Sequence, residues 1–430
     1  MATPDPLQIL RHRFGFPAFR TGQRELVDAA LAGRDALGVL PTGGGKSLCF
    51  QVPCIALPGL TVVVSPLISL MADQLRRARE AEIRAEAIHS GLSPERREAV
   101  ARAAVAGEVE LLLLAPERLL APSFEPLLPH LKVSLLVIDE AHCISCWGHD
   151  FRPAYRELGR IRRRLGAPVQ ALTATATPRV RSEIEEILEF RRPVRVVGSF
   201  DRDNLLWAVR TARSPAERNR ILYTLVRRAP GARLIYAATR KRVERIRAFL
   251  ARRGLRVEAY HAGLPEAERT RVQAFFMEAT GPVVVATNAF GMGIDRSDVR
   301  LVVHDQLSGS LEDYYQEAGR AGRDGEVALC VGLRGPGDGG VHRAFLDRTH
   351  PPVRTPGEMA RLWREGGLGR RLERRRAQLA KIRAVGRYAE TRGCRRAALL
   401  GWFGEKWTGR CTRCDRCSGW PGVLGAIGSR

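Results

Sequence analysis

Lysine is nearly missing from this sequence: five of its 70 basic residues are lysines and 65 are arginines. Any position therefore has roughly a 15% chance of being arginine by composition, so a lone arginine in a motif says little and a lone lysine says more. Acidic residues are also in deficit, 46 against those 70, which leaves a formal net charge of +24. Such a surplus suits a polyanion, because basic side chains that neutralise phosphates release condensed counterions. Nucleic acid is the leading reading and an anionic membrane surface the second. Long apolar runs are absent as well. None approaches the roughly 18 residues of a membrane span, and the opening MATPDPLQILRHRFGF has no basic stretch leading into an apolar one. We expect a soluble, unsecreted, cytoplasmic chain, nucleoid-associated if bacterial. With 45% hydrophobic residues over 430 positions a core can be buried, which excludes wholesale disorder.

Cysteine is sparse and odd in number, nine in all, a poor disulfide framework for an unsecreted chain. Cys49, Cys54 and Cys330 fall in apolar runs and read as buried thiols. Cys143 and Cys146 form a C-x2-C with no second pair nearby, so we reject a redox or metal reading for them. Cys394, Cys411, Cys414 and Cys417 differ, with the spacing C-x16-C-x2-C-x2-C. Four thiolates fit a closed tetrahedral Zn2+ site that can pin a small module lacking its own core. An iron–sulfur cluster also takes four cysteines.

Short β-branched or leucine-rich runs alternate with helical stretches from about residue 35 to 198. Strands are expected at 35–40, 61–65, 110–114, 134–138 and 169–172. The rhythm repeats at 233–236, 257–260, 283–287, 301–303 and 327–331, so the fold class is α/β, with two parallel-sheet domains in tandem. Residues 198–204 (GSFDRDN) read as a connector and 335–340 (GPGDGG) as a second boundary. The expected domains are thus 1–199, 200–335 and a mainly helical module, 336–430. Residues 361–430 hold 18 basic and 5 acidic residues. The Gly-rich tail 421–430 is expected to fray.

After the first strand comes Pro41-Thr42-Gly43-Gly44-Gly45-Lys46-Ser47. A glycine-rich turn entering a helix lets backbone N–H groups cradle phosphates, with lysine on the β/γ-phosphates and a hydroxyl on Mg2+. The strict pattern wants glycine where this chain has Leu40, so the match is a relaxed one. The run LLVIDEAH places Asp139 and Glu140 at the carboxyl end of a buried strand, where open α/β sheets bind ligands. Asp139 can hold Mg2+ there, and Glu140 can orient or deprotonate an attacking water.

PTGGGKS, VVVSPLISLMADQ, LLLLAPERL, VIDEAHCISCWGHDFRPAY, ALTATAT, AYHAGL, VVVATNAFGMGID and YYQEAGRAGRDG occur in that order. Together they resemble a RecQ-family DNA helicase, from about Phe14 to Cys417. The resemblance implies two RecA-like domains and a zinc-binding module holding Zn2+ on the four terminal cysteines. It makes Phe16, Arg20 and Gln23 the adenine contacts, consistent with an aromatic face and a guanidinium stacking on a purine. It assigns Thr42, Gly43, Gly44, Gly45, Lys46 and Ser47 to ATP and Mg2+. Arg323 becomes the arginine finger and Arg320 its companion, while Gly293 and Asp295 bear on the nucleotide ribose and the domain interface. Where the family more often has tyrosine, this chain has Phe16.

For DNA, Trp147, His149, Phe151 and Arg152 mix aromatic and basic groups directly after Glu140, and aromatic faces stack on unpaired bases with little sequence preference. Core anchoring of the aromatics is the alternative. In the family this loop couples single-stranded DNA to hydrolysis, and Ser65, Arg118 and Thr287 match positions facing the strand backbone. The resemblance implies a monomer that moves 3′ to 5′ on single-stranded DNA and unwinds forked or tailed duplex in repair and recombination. Single-strand-binding protein and other repair factors are the implied partners, and no membrane. Thirteen residues follow Cys417, so no winged-helix or helicase-and-RNase-D-like C-terminal domain is expected in this sequence. An RNA helicase, a DNA-dependent ATPase or annealing factor that does not unwind, and a non-catalytic scaffold are the rival readings.

Overall fold

The computed structural model of the chain describes residues 4–428, apart from 42, 149, 292–295, 354 and 365–366. It divides into two units, Met1–Ser199 and Phe200–Arg430.

In the first unit β1 (Ala36–Val39), β2 (Leu60–Val64), β3 (Ala85–Ile88), β4 (Leu111–Leu114), β5 (Val133–Ile138), β6 (Val169–Thr173) and β7 (Val194–Val197) form one sheet, ordered β3-β4-β2-β5-β6-β1-β7. Every pairing is parallel. Parallel neighbours need crossovers, which is why helices intervene and why β1, β2 and β4 are buried along their whole length. Leu37, Val63, Leu113, Val137 and Leu172 are fully or almost fully shielded from water. The five strands expected here are present; β3 and β7, at the two edges, are additional. Their sequences AEAI and VRVV carry a charged residue each, so they lack the continuous apolar signature of a central strand.

Because all strands run one way, their carboxyl ends share one edge of the sheet. The loop 41–47 follows β1, Ser65 follows β2, Arg118 sits on the short helix Pro116–Leu119 after β4, and Asp139 follows β5. β6 lies between β5 and β1, so Thr173 at its end stands between the phosphate loop and the acids.

The second unit holds β8 (Leu205–Thr211), β9 (Ala232–Tyr236), β10 (Val257–Tyr260), β11 (Val283–Ala286), β12 (Val299–His304) and β13 (Ala328–Arg334), ordered β10-β11-β9-β12-β13-β8 and again all parallel. The strand β8 begins immediately after the segment read as a connector and was not expected as a strand. It is an edge strand, and the cysteine-rich segment covers it. Trp207 N donates to Arg413 O at 2.8 Å, Asp415 N donates to Trp207 O at 3.0 Å, and Trp207 bridges Cys414. Covering an edge in this way removes the unpaired ladder groups that invite association.

Beyond β13 the chain is helical, with helices Asp338–Thr349, Pro356–Arg364, Leu368–Glu390 and Arg395–Trp402. Residues 421–428 of the tail do not fray as expected. Residues Gly419–Gly428 form a helix whose Val423 and Ile427, four apart on one face, are buried in the same core as Leu206 and Leu333. Glycine content suggested disorder, but the i, i+4 apolar pair gives the helix a face to bury. No helix of the described residues is long and apolar enough to cross a membrane.

Candidate nucleotide, nucleic-acid and metal sites

The phosphate loop turns tightly before the helix Leu48–Ala56. Gly43 and Gly45 both lie in the left-handed region, at φ 81° and 72°, and a Cβ on Gly45 would stand 2.4 Å from Gln23 Nε2. Only glycine suits that position. Gln23 is buried and braces the loop: its Nε2 donates to Gly44 O and Gly45 O, each at 3.0 Å, and its Oε1 accepts from Arg20 N at 2.8 Å. The Arg20 guanidinium donates to Gly43 O. Phe16 stands outside this network and is 42% exposed, leaving a ring face open for stacking. Lys46 Nζ lies 3.4 Å from Leu40 O, across the turn it would share with phosphates. Thr42 is outside the described residues.

At the end of β5 the Asp139 carboxyl is buried. Burial, then the neighbouring Glu140, raise its pKa to about 6, while Lys46 and the hydrogen bond from Gln74 pull it down. Gln74 Nε2 donates to Asp139 Oδ2 at 2.8 Å, Glu140 N to Oδ1 at 2.9 Å, and Tyr155 Oη to the Asp139 carbonyl at 3.1 Å. Glu140 itself has a left-handed backbone, φ 49°, which costs a non-glycine residue about 1 kcal/mol or more. Its Oε2 lies 3.2 Å from His142 Nδ1, and the same nitrogen is 2.8 Å from Thr173 Oγ1. The acids are thus linked to the end of β6. A buried carboxylate held by neutral donors beside a lysine has the donor chemistry that Mg2+ and phosphate oxygens require.

The aromatic loop is partly occupied. The guanidinium carbon of Arg179, on the helix Pro178–Ile187, stacks 3.6 Å from the centroid of the half-buried Trp147 ring. Trp147 N donates to Ser145 Oγ at 3.0 Å, and Ser145 Oγ to Glu183 at 2.7 Å. Arg152 Nη1 donates to Pro66 O at 2.7 Å, and Phe151 is half-buried. His149 is outside the described residues. Ser65 is fully buried and offers a strand no surface in this conformation, whereas Arg118 and Thr287 are half-exposed.

In the second unit Arg320 and Arg323 lie on the turn after the helix Leu311–Ala318, at the amino ends of β12 and β13, where Gly322 N donates to Val299 O at 2.9 Å. Thr287 is at the opposite, carboxyl edge of that sheet. The Arg320 guanidinium donates to Gly291 O. Gly293 and Asp295 are outside the described residues.

The sulfurs of Cys394, Cys411, Cys414 and Cys417 all lie within 4.8 Å of one another. A tetrahedral ion with Zn–S near 2.3 Å needs sulfurs about 3.8 Å apart, so the four fit such an ion with small adjustment. Cys49, Cys54, Cys143, Cys146 and Cys330 are all buried, away from this cluster.

Three family models match in sequence. The DEAD/DEAH box helicase model covers residues 20–187, the helicase conserved C-terminal domain 217–325, and the RecQ zinc-binding model 358–418. The "ATP-dependent DNA helicase RecQ" of Pasteurella multocida is 40% identical over 411 residues, 95% of this chain and 61% of that protein. The "Probable ATP-dependent DNA helicase RecS" of Bacillus subtilis is 41% identical over 334 residues, 77% of this chain and 67% of that protein.

The chain belongs to the RecQ helicase family.

It spans about three fifths of the length of the RecQ proteins of Pasteurella multocida and Haemophilus influenzae, 61% and 63%. Among solved structures, the helicase MrfA bound to DNA is similar with a TM-score of 0.64 at 21% identity, covering 78% of this chain and 52% of that one. The Mycobacterium smegmatis helicase Lhr gives 0.59 at 22%, covering 82% and 51%. At such identity the likeness is one of fold.

Several residues around this RecQ site went unassigned in the sequence. Gln74 sits in the SLMADQ block, and its donation to Asp139 depends on a helix–strand contact across 65 residues. Tyr155 and Thr173 lie inside quoted motifs, yet only tertiary contact shows that they steady the acids. Arg179 carries no signal in a chain this rich in arginine.

Proposed function

We propose that this chain is an ATP-dependent DNA helicase that moves 3′ to 5′ along single-stranded DNA and unwinds duplex. The observation that carries the reading is the phosphate loop and the buried Asp139, joined at one sheet edge through β6 and steadied by Gln23 and Gln74. ATP would supply the γ-phosphoryl group that passes to water with ADP leaving, and Mg2+ the cation that neutralises charge on the phosphates. Gly43, Gly44, Gly45 and Lys46, with Thr42, cradle the phosphates; Ser47 and Asp139 hold the cation; Glu140 orients water; Phe16, Arg20 and Gln23 take the adenine. Arg320 and Arg323, with Gly293 and Asp295, act on the nucleotide, as the family resemblance implies. Trp147, His149, Phe151 and Arg152 take bases and phosphates of the strand, with Arg118, Thr287 and, once uncovered, Ser65. Zn2+ on the four cysteines holds 336–430 together as a module. Repair and recombination, monomeric action and association with single-strand-binding protein and other repair factors belong to the same proposal, which the family membership supports.

Strand displacement tests it: a forked duplex with a 3′ single-stranded tail, against the same duplex with a 5′ tail, with ATPase read in parallel. Unwinding from the 3′ tail is expected. DNA-stimulated ATPase without displacement would reduce the function to translocation, and stimulation by RNA alone would make the substrate RNA.

A further inference from the structure

The segment 200–204, a linker by composition, is committed in the structure to the turn that bears the two arginines. The cause is topological. β8 and β13 pair in parallel with Leu205 opposite Ala328, so residues just before β8 lie beside residues just before β13. Ala328 N donates to Asn204 O at 3.1 Å, which closes that register.

Arg202 uses this proximity. Its Nη1 donates to Gly319 O at 3.3 Å, and its Nη2 to Ala321 O at 3.1 Å and Gly322 O at 2.8 Å. Asn204 Nδ2 donates to Gly322 O at 2.8 Å and Glu326 O at 2.9 Å. Gly319 caps the helix Leu311–Ala318, and Ala321, Gly322 and Glu326 belong to the turn beyond it, where carbonyls outside the helical ladder take donors from elsewhere in the chain. A planar guanidinium presents its donors in a fixed fork, so it can serve three consecutive-turn carbonyls where an ammonium cannot hold the same geometry. Gly322 completes the fit: its φ is 54°, and a Cβ there would meet Asn204 Nδ2 at 2.5 Å.

The segment is itself anchored. Asp201 pairs with Arg396, Phe200 stacks on Phe403 at 4.4 Å with ring planes 9° apart, and Phe200 N donates to Glu405 at 2.7 Å. Arg202 therefore acts from a fixed base on the backbone that flanks Arg320 and Arg323.

We infer that Arg202, assisted by Asn204, is a positioning residue for ATP hydrolysis: it fixes the backbone from which Arg320 and Arg323 act on the nucleotide. This rests on the function proposed above.

The test is steady-state ATPase of the 430-residue chain carrying Arg202→Ala, Arg202→Lys, Arg323→Ala or both Arg202→Ala and Arg323→Ala, with saturating single-stranded DNA. Misplacement of the arginines predicts a kcat loss of about 10- to 100-fold in Arg202→Ala, with KM for ATP changed by less than about threefold. Arg202→Lys restores only part of it. In the Arg323→Ala background Arg202→Ala adds little, because both changes act through one group. Asn204→Ala, which keeps the backbone pairing, gives a smaller loss with the same non-additivity, and decides the matter if Arg202→Ala does not fold by thermal melting. Multiplying losses, an unchanged kcat, or a defect confined to KM would overturn the inference. If wild type shows no DNA-stimulated ATPase, or Arg323→Ala matches wild type, the function itself fails; wild-type turnover in Arg202→Ala beside a dead Arg323→Ala sinks the positioning role alone.

Discussion

Gln74 donates its side-chain amide to Asp139 Oδ2 at 2.8 Å, with both groups buried. The bond orients the carboxylate and, with Lys46 and the backbone N–H of Glu140, favours its ionised form. Groups that orient a metal-binding carboxylate typically matter about 10- to 100-fold. Gln74→Ala should therefore lower kcat for ATP by about that range and raise the Mg2+ concentration giving half-maximal rate. An unchanged Mg2+ titration would remove Gln74 from the site.

Lys46→Ala should abolish ATPase while leaving affinity for a single-stranded oligonucleotide within about threefold, since phosphate-loop and strand contacts come from different residues. Fluorescence anisotropy beside a coupled ATPase assay reads both. Retained DNA-stimulated turnover would refute the nucleotide assignment.

Trp147 already carries the Arg179 guanidinium on its ring, 3.6 Å from the centroid. A base that stacks there must share or displace it. Trp147→Ala should reduce the ratio of DNA-stimulated to basal turnover by about 10-fold, the scale of one lost stacking contact. If the ratio holds, the ring is an anchor for the loop and not a sensor.

Asp313 gives a pH signature. Burial, then the nearby Glu317, push its carboxyl up to about 7, against a hydrogen bond from Ser310 Oγ at 2.6 Å. The folded state thus binds a proton that the unfolded state releases near pH 4, so this group's contribution to stability falls as pH rises from about 4 to 7. Asp313→Asn should flatten that slope and raise stability at pH 8 by of order 1 kcal/mol, read by denaturant melts at both pH values. An unaltered slope would place the titration elsewhere.

The cysteine cluster should hold one zinc per chain by elemental analysis, and Cys417→Ser should lower zinc content and the melting temperature by about 5 °C or more. Because Asp415, between Cys414 and Cys417, pairs with Arg395 and accepts from Val209 N of β8 at 3.2 Å, loosening should reach the sheet edge. Iron with a visible absorption band would assign a cluster instead.

Much of the site was legible because local chemistry leaves little choice. A glycine-rich turn before GKS, two acids ending an apolar strand and four cysteines at metal spacing declare themselves without a fold. The central strands were equally legible, since a strand buried on both faces must be a continuous apolar run. Edge strands β3 and β7 were not, since each carries a charged residue among its four, and the apolar β8 was hidden because it directly follows the segment read as a connector.

The tail 421–430 misled for a related reason. Its glycines suggest disorder, whereas Val423 and Ile427 find a core supplied by β8 and β13, far earlier in the chain.

What the sequence by itself determined is the chemistry: which residues could bind phosphate, cation, base or metal, and on which strand ends they sit. What only the tertiary structure decided is their support. Gln23 under the loop, Gln74 on Asp139, Arg179 on Trp147 and Arg202 on the arginine turn are pairings between residues separated by 21 to 120 positions. In a chain with 65 arginines and unremarkable glutamines, composition carries no sign of them. Strand order and register bring such side chains within hydrogen-bonding distance, and those are properties of the folded sheet.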